Sequence, residues 1–89
     1  MKYKKRHPET IDAWQFTKKN FKKGIPDFIW FAPYKPVNLW SQFGGDVISG
    51  EIKRDYGVVE VHENDFIVKK DGKFYVYEPE FFKAVYKKA

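Results

Sequence analysis

The chain has 89 residues, contains no cysteine, and carries a formal net charge of +5. This length predicts one domain spanning residues 1–89, because a smaller piece would bury too little surface to fold alone. The absence of cysteine excludes a disulfide framework, a thiol nucleophile and a thiolate metal site. No apolar run approaches the roughly 20 residues that span a bilayer, and the basic start Met1–Arg6 leads into polar sequence. We therefore expect a cytoplasmic protein without a membrane segment or a secretion signal.

The excess of positive charge lies in the first half of the chain. Residues 1–45 contain nine Lys or Arg against three Asp or Glu, whereas residues 46–89 contain eight against nine. A positive surface raises the local concentration of anions, which indicates an anionic partner. The alternative is that the lysines only keep an aromatic-rich domain soluble. The chain contains nine Phe, six Tyr and three Trp, and a core this small needs most of them.

The first predicted element is a strand over residues 10–17, which are rich in β-branched and aromatic side chains. Trp14 and Phe16 share one face of this strand, and Ile11 and Ala13 share the other. The strand is therefore either covered on both faces or shifted in register by a bulge. In both cases we expect it to be central in its sheet.

A basic segment and a short helix follow this strand. The basic segment, residues 18–23, is too short to assign. Residues 26–31 predict a short helix that begins at a proline, with Phe28 and Phe31 at helical spacing. We expect Trp30, on the same helix, to be buried.

Residues 32–45 are predicted to form an irregular loop, because prolines and glycines recur in them. The loop also contains large apolar side chains, which need either a core contact or a ligand, and loops of this length are often functional. Both explanations stay open from the sequence. The candidate ligand contacts in this loop are Tyr34, Asn38, Trp40, Gln42 and Phe43.

The second half of the chain predicts two β-hairpins. Asp55-Tyr56-Gly57 and Asp71-Gly72 are turn sequences between segments rich in β-branched and aromatic residues, and Asp71-Gly72 is the stronger signal. The predicted strands span residues 46–54, 58–62, 66–70 and 73–77.

The end of the chain predicts one helical turn over residues 78–82 and a closing strand over residues 83–86. In total, five or six short strands and one or two short helices predict an α+β fold built on a small, curled antiparallel sheet. Neither internal repeats nor low-complexity segments occur.

Motifs at both ends of the chain carry a family resemblance. The chain opens with Met1-Lys2-Tyr3-Lys4-Lys5 and the strand Ile11–Phe16, and it closes with Glu63–Val68, Gly72–Tyr75, Pro79–Phe82 and Tyr86. In order and spacing, these segments resemble a widespread group of small phage and prophage proteins of mostly unassigned function. The resemblance covers roughly half of the chain and leaves the middle unmatched.

The chain departs from this pattern at two places. Glu63-Asn64 stands where the group has Pro-Gly, and Lys73 stands where it usually has Glu. The resemblance is therefore one of scaffold. It implies a phage origin and a location in the host cytoplasm, and it carries over no catalytic residue.

The residues needed for catalysis are scarce in this sequence. The two histidines are His7 and His62. His62 has carboxylates near it, but no second histidine has the spacing of a metal ligand. Ser41 and Ser49 are the only serines, and neither lies in a nucleophile elbow. We expect neither an enzyme nor a metal site, and no cofactor.

Binding of a nucleotide or a single strand of nucleic acid needs only an aromatic face for the base and Lys or Arg for the phosphates. The two arginines, Arg6 and Arg54, are the first candidates for phosphate contacts, because a guanidinium binds phosphate through two parallel hydrogen bonds. Among the aromatic residues, Trp40 and Tyr56 are the better candidates for stacking. Trp14 has two interpretations, as a ligand contact and as a core residue.

Three hypotheses of function follow. The first is a phage protein that sequesters a small anionic, nucleotide-type immune signal and so counteracts bacterial defence. An 89-residue chain can hardly enclose such a ligand, so this hypothesis predicts a homo-oligomer with the ligand at or near the subunit interface. The second is an accessory protein that binds single-stranded nucleic acid. The third is a protein-binding inhibitor of a host factor that uses the aromatic loop as its contact surface.

Overall fold

The computed structural model describes the backbone of residues 2–5 and 10–88 and the side chains of residues 11–86. The strands among these residues are β1 (Lys2–Lys5), β2 (Thr10–Gln15), β3 (Val37–Gln42), β4 (Val47–Arg54), β5 (Gly57–Val61), β6 (Phe66–Lys70), β7 (Lys73–Tyr77) and β8 (Tyr86–Lys88). The helices are α1 (Lys18–Lys23), α2 (Asp27–Trp30) and α3 (Pro79–Val85), with a 3₁₀ turn at Phe43–Gly45. This arrangement confirms the predicted α+β fold.

The strands form two antiparallel sheets. One has five strands in the order β7-β6-β2-β1-β8, and the other has three in the order β3-β4-β5. β2 lies in the middle of the larger sheet, between β1 and β6, as the sequence predicted. Both predicted hairpins are also present, β4–β5 and β6–β7.

β2 is covered on both faces. Trp14 and Phe16 belong to a buried cluster that also contains core residues of the three-stranded sheet and of α2. Ile11 and Ala13 belong to a second buried cluster, which contains Phe82 of α3. The larger sheet is therefore the middle layer, with the smaller sheet on one face and α3 on the other.

The short helices are fixed by their ends. Thr17 accepts a hydrogen bond at Oγ1 from the backbone N–H of Asn20, 3.0 Å away, and so starts α1 in the segment that the sequence left unassigned.

In α2, Ile29 takes the inward position, and Trp30 is 56% exposed. The prediction that Trp30 is buried was wrong, because a helix of four residues presents only one side chain fully to the core.

The prediction of an irregular loop over residues 32–45 was also wrong, since β3 lies within it. The prolines and glycines there border the strand and do not interrupt it. β3 packs closely on β4 at Gly50, where a Cβ atom would collide with the side chain of Leu39 and lie 2.8 Å from the carbonyl oxygen of Asn38. The tight packing of this edge depends on glycine at position 50.

The C-terminal helix is longer than predicted. α3 continues to Val85, so the closing strand begins at Tyr86. Phe82 is 1% exposed and stacks on Phe66 with ring centroids 3.9 Å apart. This contact joins α3 to β6 and closes the second cluster.

Candidate anion-binding cleft

A cleft of about 210 Å³ lies where the turn before β3 meets the hairpin ends of β4 and β7. It brings together two residues that the sequence predicted as ligand contacts, Tyr34 and Arg54. It also contains two cations that the sequence analysis did not select, Lys53 and Lys73. The complete lining is Pro33, Tyr34, Pro36, Lys53, Arg54, Asp55, Gly72, Lys73 and Phe74. We call it the Arg54 cleft.

Arg54 is held in place by contacts with the neighbouring hairpin. Its Nη1 donates a hydrogen bond to the backbone carbonyl of Phe74. Its Cζ lies 4.4 Å from the ring centroid of Tyr75 and 5.5 Å from that of Tyr56. A guanidinium has five N–H donors, and the contact with Phe74 uses one nitrogen. Arg54 is therefore a positioned cation with donors remaining for an anion.

The charge of the cleft is predominantly positive. Lys53, Arg54 and Lys73 line it, and Asp55 is the one acidic residue in the lining. Within residues 11–86, none of these three cations forms an ion pair with a carboxylate. Since no partner neutralises them, their potential is available to an anionic ligand.

Tyr34 stands at the rim of the cleft in an unfavourable backbone conformation. Its φ is +65°, that of Lys35 is +47°, and its side chain is 99% exposed. A left-handed conformation costs a residue other than glycine about 1–2 kcal/mol. The ring makes no contact in the core that would offset this cost, and it presents an aromatic face at the edge of a basic cleft.

A second cleft, of about 270 Å³, lies on the other side of this turn. Apart from Lys35, Asn38 and Trp30, its lining is aliphatic. Lys35 Nζ lies 3.2 Å from the carbonyl oxygen of Trp30 and 5.4 Å from the centroid of its indole ring. The single cation is therefore already in use, so this cleft suits an apolar group better than an anion. Its lining is Ile25, Ile29, Trp30, Lys35, Val37, Asn38 and Leu39.

The remaining predicted residues are spread over the molecule. Trp14 is 5% exposed and lies in the first core cluster, so its ring has no face for a ligand, and the interpretation as a ligand contact is corrected to core packing. Trp40 and Gln42 alternate with the core-facing residues of β3 and are exposed. Phe43, in the 3₁₀ turn, is 76% exposed. Arg6 lies outside the described residues.

Lys53 and Lys73 were missed because they lie far apart in sequence, and only the packing of the two sheets makes them neighbours. One sequence signal could have found them. Each is near a hairpin turn: Lys53 lies two residues before Asp55-Tyr56, and Lys73 directly follows Asp71-Gly72. Basic residues beside two turns of consecutive hairpins are candidates for one shared surface.

Of the two carboxylates near His62, Asp65 has a structural role. His62 Nε2 lies 3.2 Å from Glu60 Oε2, and its Nδ1 lies 3.7 Å from Asp65 Oδ2. The same Asp65 oxygen accepts a hydrogen bond from the backbone N–H of His62, 2.9 Å away. The two carboxylates lie at different nitrogens of the ring, and among residues 11–86 no group of three or more His, Asp or Glu could hold a metal ion.

None of the helices in the described part of the chain is long and apolar enough to cross a membrane. Comparisons with protein family models, with curated proteins and with solved structures found no match. Function is therefore inferred from the residues of the cleft.

Proposed function

We propose that this chain is a binding protein without catalytic activity that captures a small anionic, nucleotide-type molecule in the Arg54 cleft. One observation carries the proposal: Lys53, Arg54 and Lys73 line one cleft, and within residues 11–86 none of them has a carboxylate partner. Arg54 would bind a phosphate through its planar fork, and the two lysines that line the same cleft would add point charges.

The exposed ring of Tyr34 favours a nucleotide over a simple phosphate ion. Stacking of a base on an aromatic ring contributes about 1–3 kcal/mol. The cleft, at about 210 Å³, is smaller than the roughly 300–1,000 Å³ that encloses most small ligands. The phosphate end therefore occupies the cleft, and the base extends outward over Tyr34.

Sequestration of an immune signal in the cytoplasm of an infected host is the biological role that we propose for this binding. It rests on the resemblance of both chain ends to small phage proteins, which is an argument by analogy. Capture of a signal requires tight, stoichiometric binding and no chemistry. A lining with three cations and no histidine, serine or cysteine suits this task.

Calorimetry against a panel of nucleotides tests the proposal. The panel contains mononucleotides, cyclic mono- and dinucleotides, ADP-ribose and inorganic phosphate. We expect a nucleotide to bind more tightly than phosphate, and the double variant Lys53→Ala/Lys73→Ala to weaken binding by at least about tenfold, which corresponds to 1.4 kcal/mol. Lys83→Ala is the control, because Lys83 is an exposed lysine on α3 outside the lining of the cleft. Absence of binding by every compound, or equal weakening by the control, would refute the proposal.

A second candidate function is binding of single-stranded nucleic acid, which the exposed rings of Tyr34, Trp40, Phe43 and Tyr56 favour. Salt separates the two functions. Affinity for a single strand falls with log salt at about 0.7 per phosphate contacted, so an extended strand loses far more affinity than a mononucleotide between about 50 and 200 mM salt. A steep slope with an oligonucleotide and no binding of any mononucleotide would favour the second function.

A further inference from the structure

β3 is an open edge of the three-stranded sheet. Among the described residues it pairs with β4 alone. Its sequence, Val-Asn-Leu-Trp-Ser-Gln, has no charged residue, whereas every other described strand contains at least one. Edge strands are usually protected from pairing by charges, prolines or bulges. β3 has none of these within its six residues.

The register of β3 on β4 defines which backbone groups face outward. The N–H of Lys53 donates to the carbonyl oxygen of Pro36, 2.8 Å away, so Pro36 and Lys53 form a hydrogen-bonded pair. Such pairs alternate along an antiparallel ladder, so Asn38, Trp40 and Gln42 bond to β4. The N–H and C=O groups of Val37, Leu39 and Ser41 therefore point away from β4, and within the described part of the chain they have no hydrogen-bond partner.

We propose that a second copy of this chain pairs with this edge through its own β3, antiparallel and about a two-fold axis at Leu39. In this register Leu39 lies opposite its counterpart, and Val37 lies opposite Ser41 of the second copy. All three residues that point outward then fall in hydrogen-bonded pairs, and each such pair exchanges two bonds. Every outward-pointing backbone N–H and C=O group of Val37, Leu39 and Ser41 then obtains a partner. The three-stranded sheets of the two copies join into one sheet of six strands.

The register favours a second copy over another extended chain, because the outward-pointing residues Val37, Leu39 and Ser41 pair with the same three residues about the axis. Two further features suit this contact. A protein with a net charge of +5 repels its own copies, but the uncharged edge places no like charges opposite each other. Tryptophans also flank the edge on both faces. Trp30 lines the cleft beside Leu39, and Trp40 lies on the solvent face, where it would stand opposite Asn38 of the second copy. Partly exposed tryptophans at the centre of a contact surface are typical of residues that dominate binding energy.

Sedimentation of two proline variants tests the interface. Proline at position 41 removes an N–H that points outward and leaves the bonds to β4 intact. Val58→Pro is the matched control on β5, the opposite edge of the same sheet. Lys53 directs its N–H to β3, so its pair with Val58 is not hydrogen-bonded, and the N–H of Val58 also points outward. We expect the natural chain and Val58→Pro to be dimers at about 100 µM, and Ser41→Pro to be a monomer with an unchanged circular dichroism spectrum.

Two results would contradict the proposed dimer. A natural chain that is monomeric at this concentration, or a dimer that persists in Ser41→Pro, would overturn the proposal. If Ser41→Pro loses its fold, Ser41→Lys provides the same test with a charge, because two-fold symmetry would place a buried lysine beside Val37 in both halves of the contact.

A cysteine at position 39 tests the register itself. The chain has no cysteine, so Leu39→Cys carries the only thiol. Residues opposite each other in a hydrogen-bonded pair have Cα atoms about 5.5 Å apart, within the roughly 4.4–6.8 Å that a disulfide spans. Mild oxidation should link two Leu39→Cys chains and leave Val58→Cys unlinked. Equal linking of both variants would exclude this register. A failure of this test leaves the nucleotide proposal untouched, because no residue of β3 lines the Arg54 cleft.

Discussion

The guanidinium of Arg54 lies over the ring of Tyr75, with Cζ 4.4 Å from the ring centroid. Arg54 ends β4 in the three-stranded sheet, and Tyr75 lies in β7, at the edge of the five-stranded sheet. Arg54 also donates to the carbonyl of Phe74. One side chain therefore connects the two sheets and supplies the central cation of the cleft.

Arg54→Lys should lower the free energy of unfolding by about 1–2 kcal/mol, although the charge is kept. An ammonium group cannot both donate to the carbonyl of Phe74 and stack over the ring of Tyr75. The contact with the ring contributes about 0.5–1 kcal/mol, and the hydrogen bond contributes somewhat more. Urea denaturation measures the change. Lys53→Ala, next in sequence and exposed, should stay within about 0.5 kcal/mol of the natural chain. Equal stability of Arg54→Lys and the natural chain would show that the contacts do not join the sheets.

Tyr34→Gly should raise the free energy of unfolding by about 0.5–1 kcal/mol. Glycine removes about 1–2 kcal/mol of left-handed strain at φ +65° and costs about 0.5–1 kcal/mol through the greater freedom of the unfolded chain. The lost ring contributes no packing, because it is fully exposed. Thermal denaturation of Tyr34→Gly beside Tyr34→Ala isolates the effect of the backbone. A loss of stability in Tyr34→Gly would contradict it. Both variants should bind nucleotide less tightly.

Gly50→Ala should destabilise the chain by about 1–3 kcal/mol, the usual cost of overpacking. The added methyl group would collide with the side chain of Leu39 and the backbone of Asn38, and backbone cannot move aside cheaply. Gly72→Ala is a useful comparison, because nothing lies within 4 Å of a Cβ there and its cost comes from φ +77° alone. If Gly50→Ala were neutral by urea denaturation, β3 would not be packed on β4 as closely as described.

Asp65→Ala should destabilise the chain by about 1–2 kcal/mol, because the buried carboxylate accepts the backbone N–H of His62 and closes the turn before β6. The turn is also tied to the end of β2, where the N–H of Phe16 donates to the carbonyl of Asp65, 2.8 Å away. Asp65→Asn should cost less than Asp65→Ala, since an amide oxygen can still accept. Chemical denaturation measures the free energy of unfolding of both variants. If Asp65→Asn cost as much as Asp65→Ala, or more, Asp65 would not act as an acceptor in this turn.

Phe82→Ala should cost about 3–5 kcal/mol, as expected for a buried phenylalanine, and in a domain this small it should leave little or no folded protein at 37 °C. Phe82 is fully buried between the rings of Phe66 and Tyr86, with centroids 3.9 and 5.0 Å away. Its neighbour Phe81 is 54% exposed, so Phe81→Ala should cost much less. Circular dichroism melting compares the two variants, and a similar loss in both would show that the second cluster is not centred on Phe82.

The sequence predicted the parts of the fold that depend on local patterns. The alternation of Trp14 and Phe16 with Ile11 and Ala13 identified β2 as a central strand, and Asp71-Gly72 identified the second hairpin. β3 was missed because its neighbours Pro36 and Gly44 indicate breaks in regular structure. In the structure they mark the ends of a strand. This strand forms by pairing with β4, and a local sequence pattern does not show that pairing.

The candidate site could be predicted only in part. Tyr34 and Arg54 were selected from the sequence and lie in one cleft. Lys53 and Lys73 belong to the half of the chain without excess positive charge, so the count of charges over each half did not indicate them. Local density of charge depends on which turns meet in space, and a sum over half of the chain does not describe it.

The two hydrophobic clusters depend on each other through β2. Trp14 of β2 and Phe16, which directly follows the strand, fill the cluster towards the smaller sheet, and Ile11 and Ala13 of β2 fill the cluster towards α3. A slip of one residue between β2 and β6 would exchange the contents of both clusters at once, and would drive an indole into a space shaped for Ala13. No half of the molecule can retain its core while the other half is misaligned. We therefore expect the two sheets to unfold as one cooperative unit.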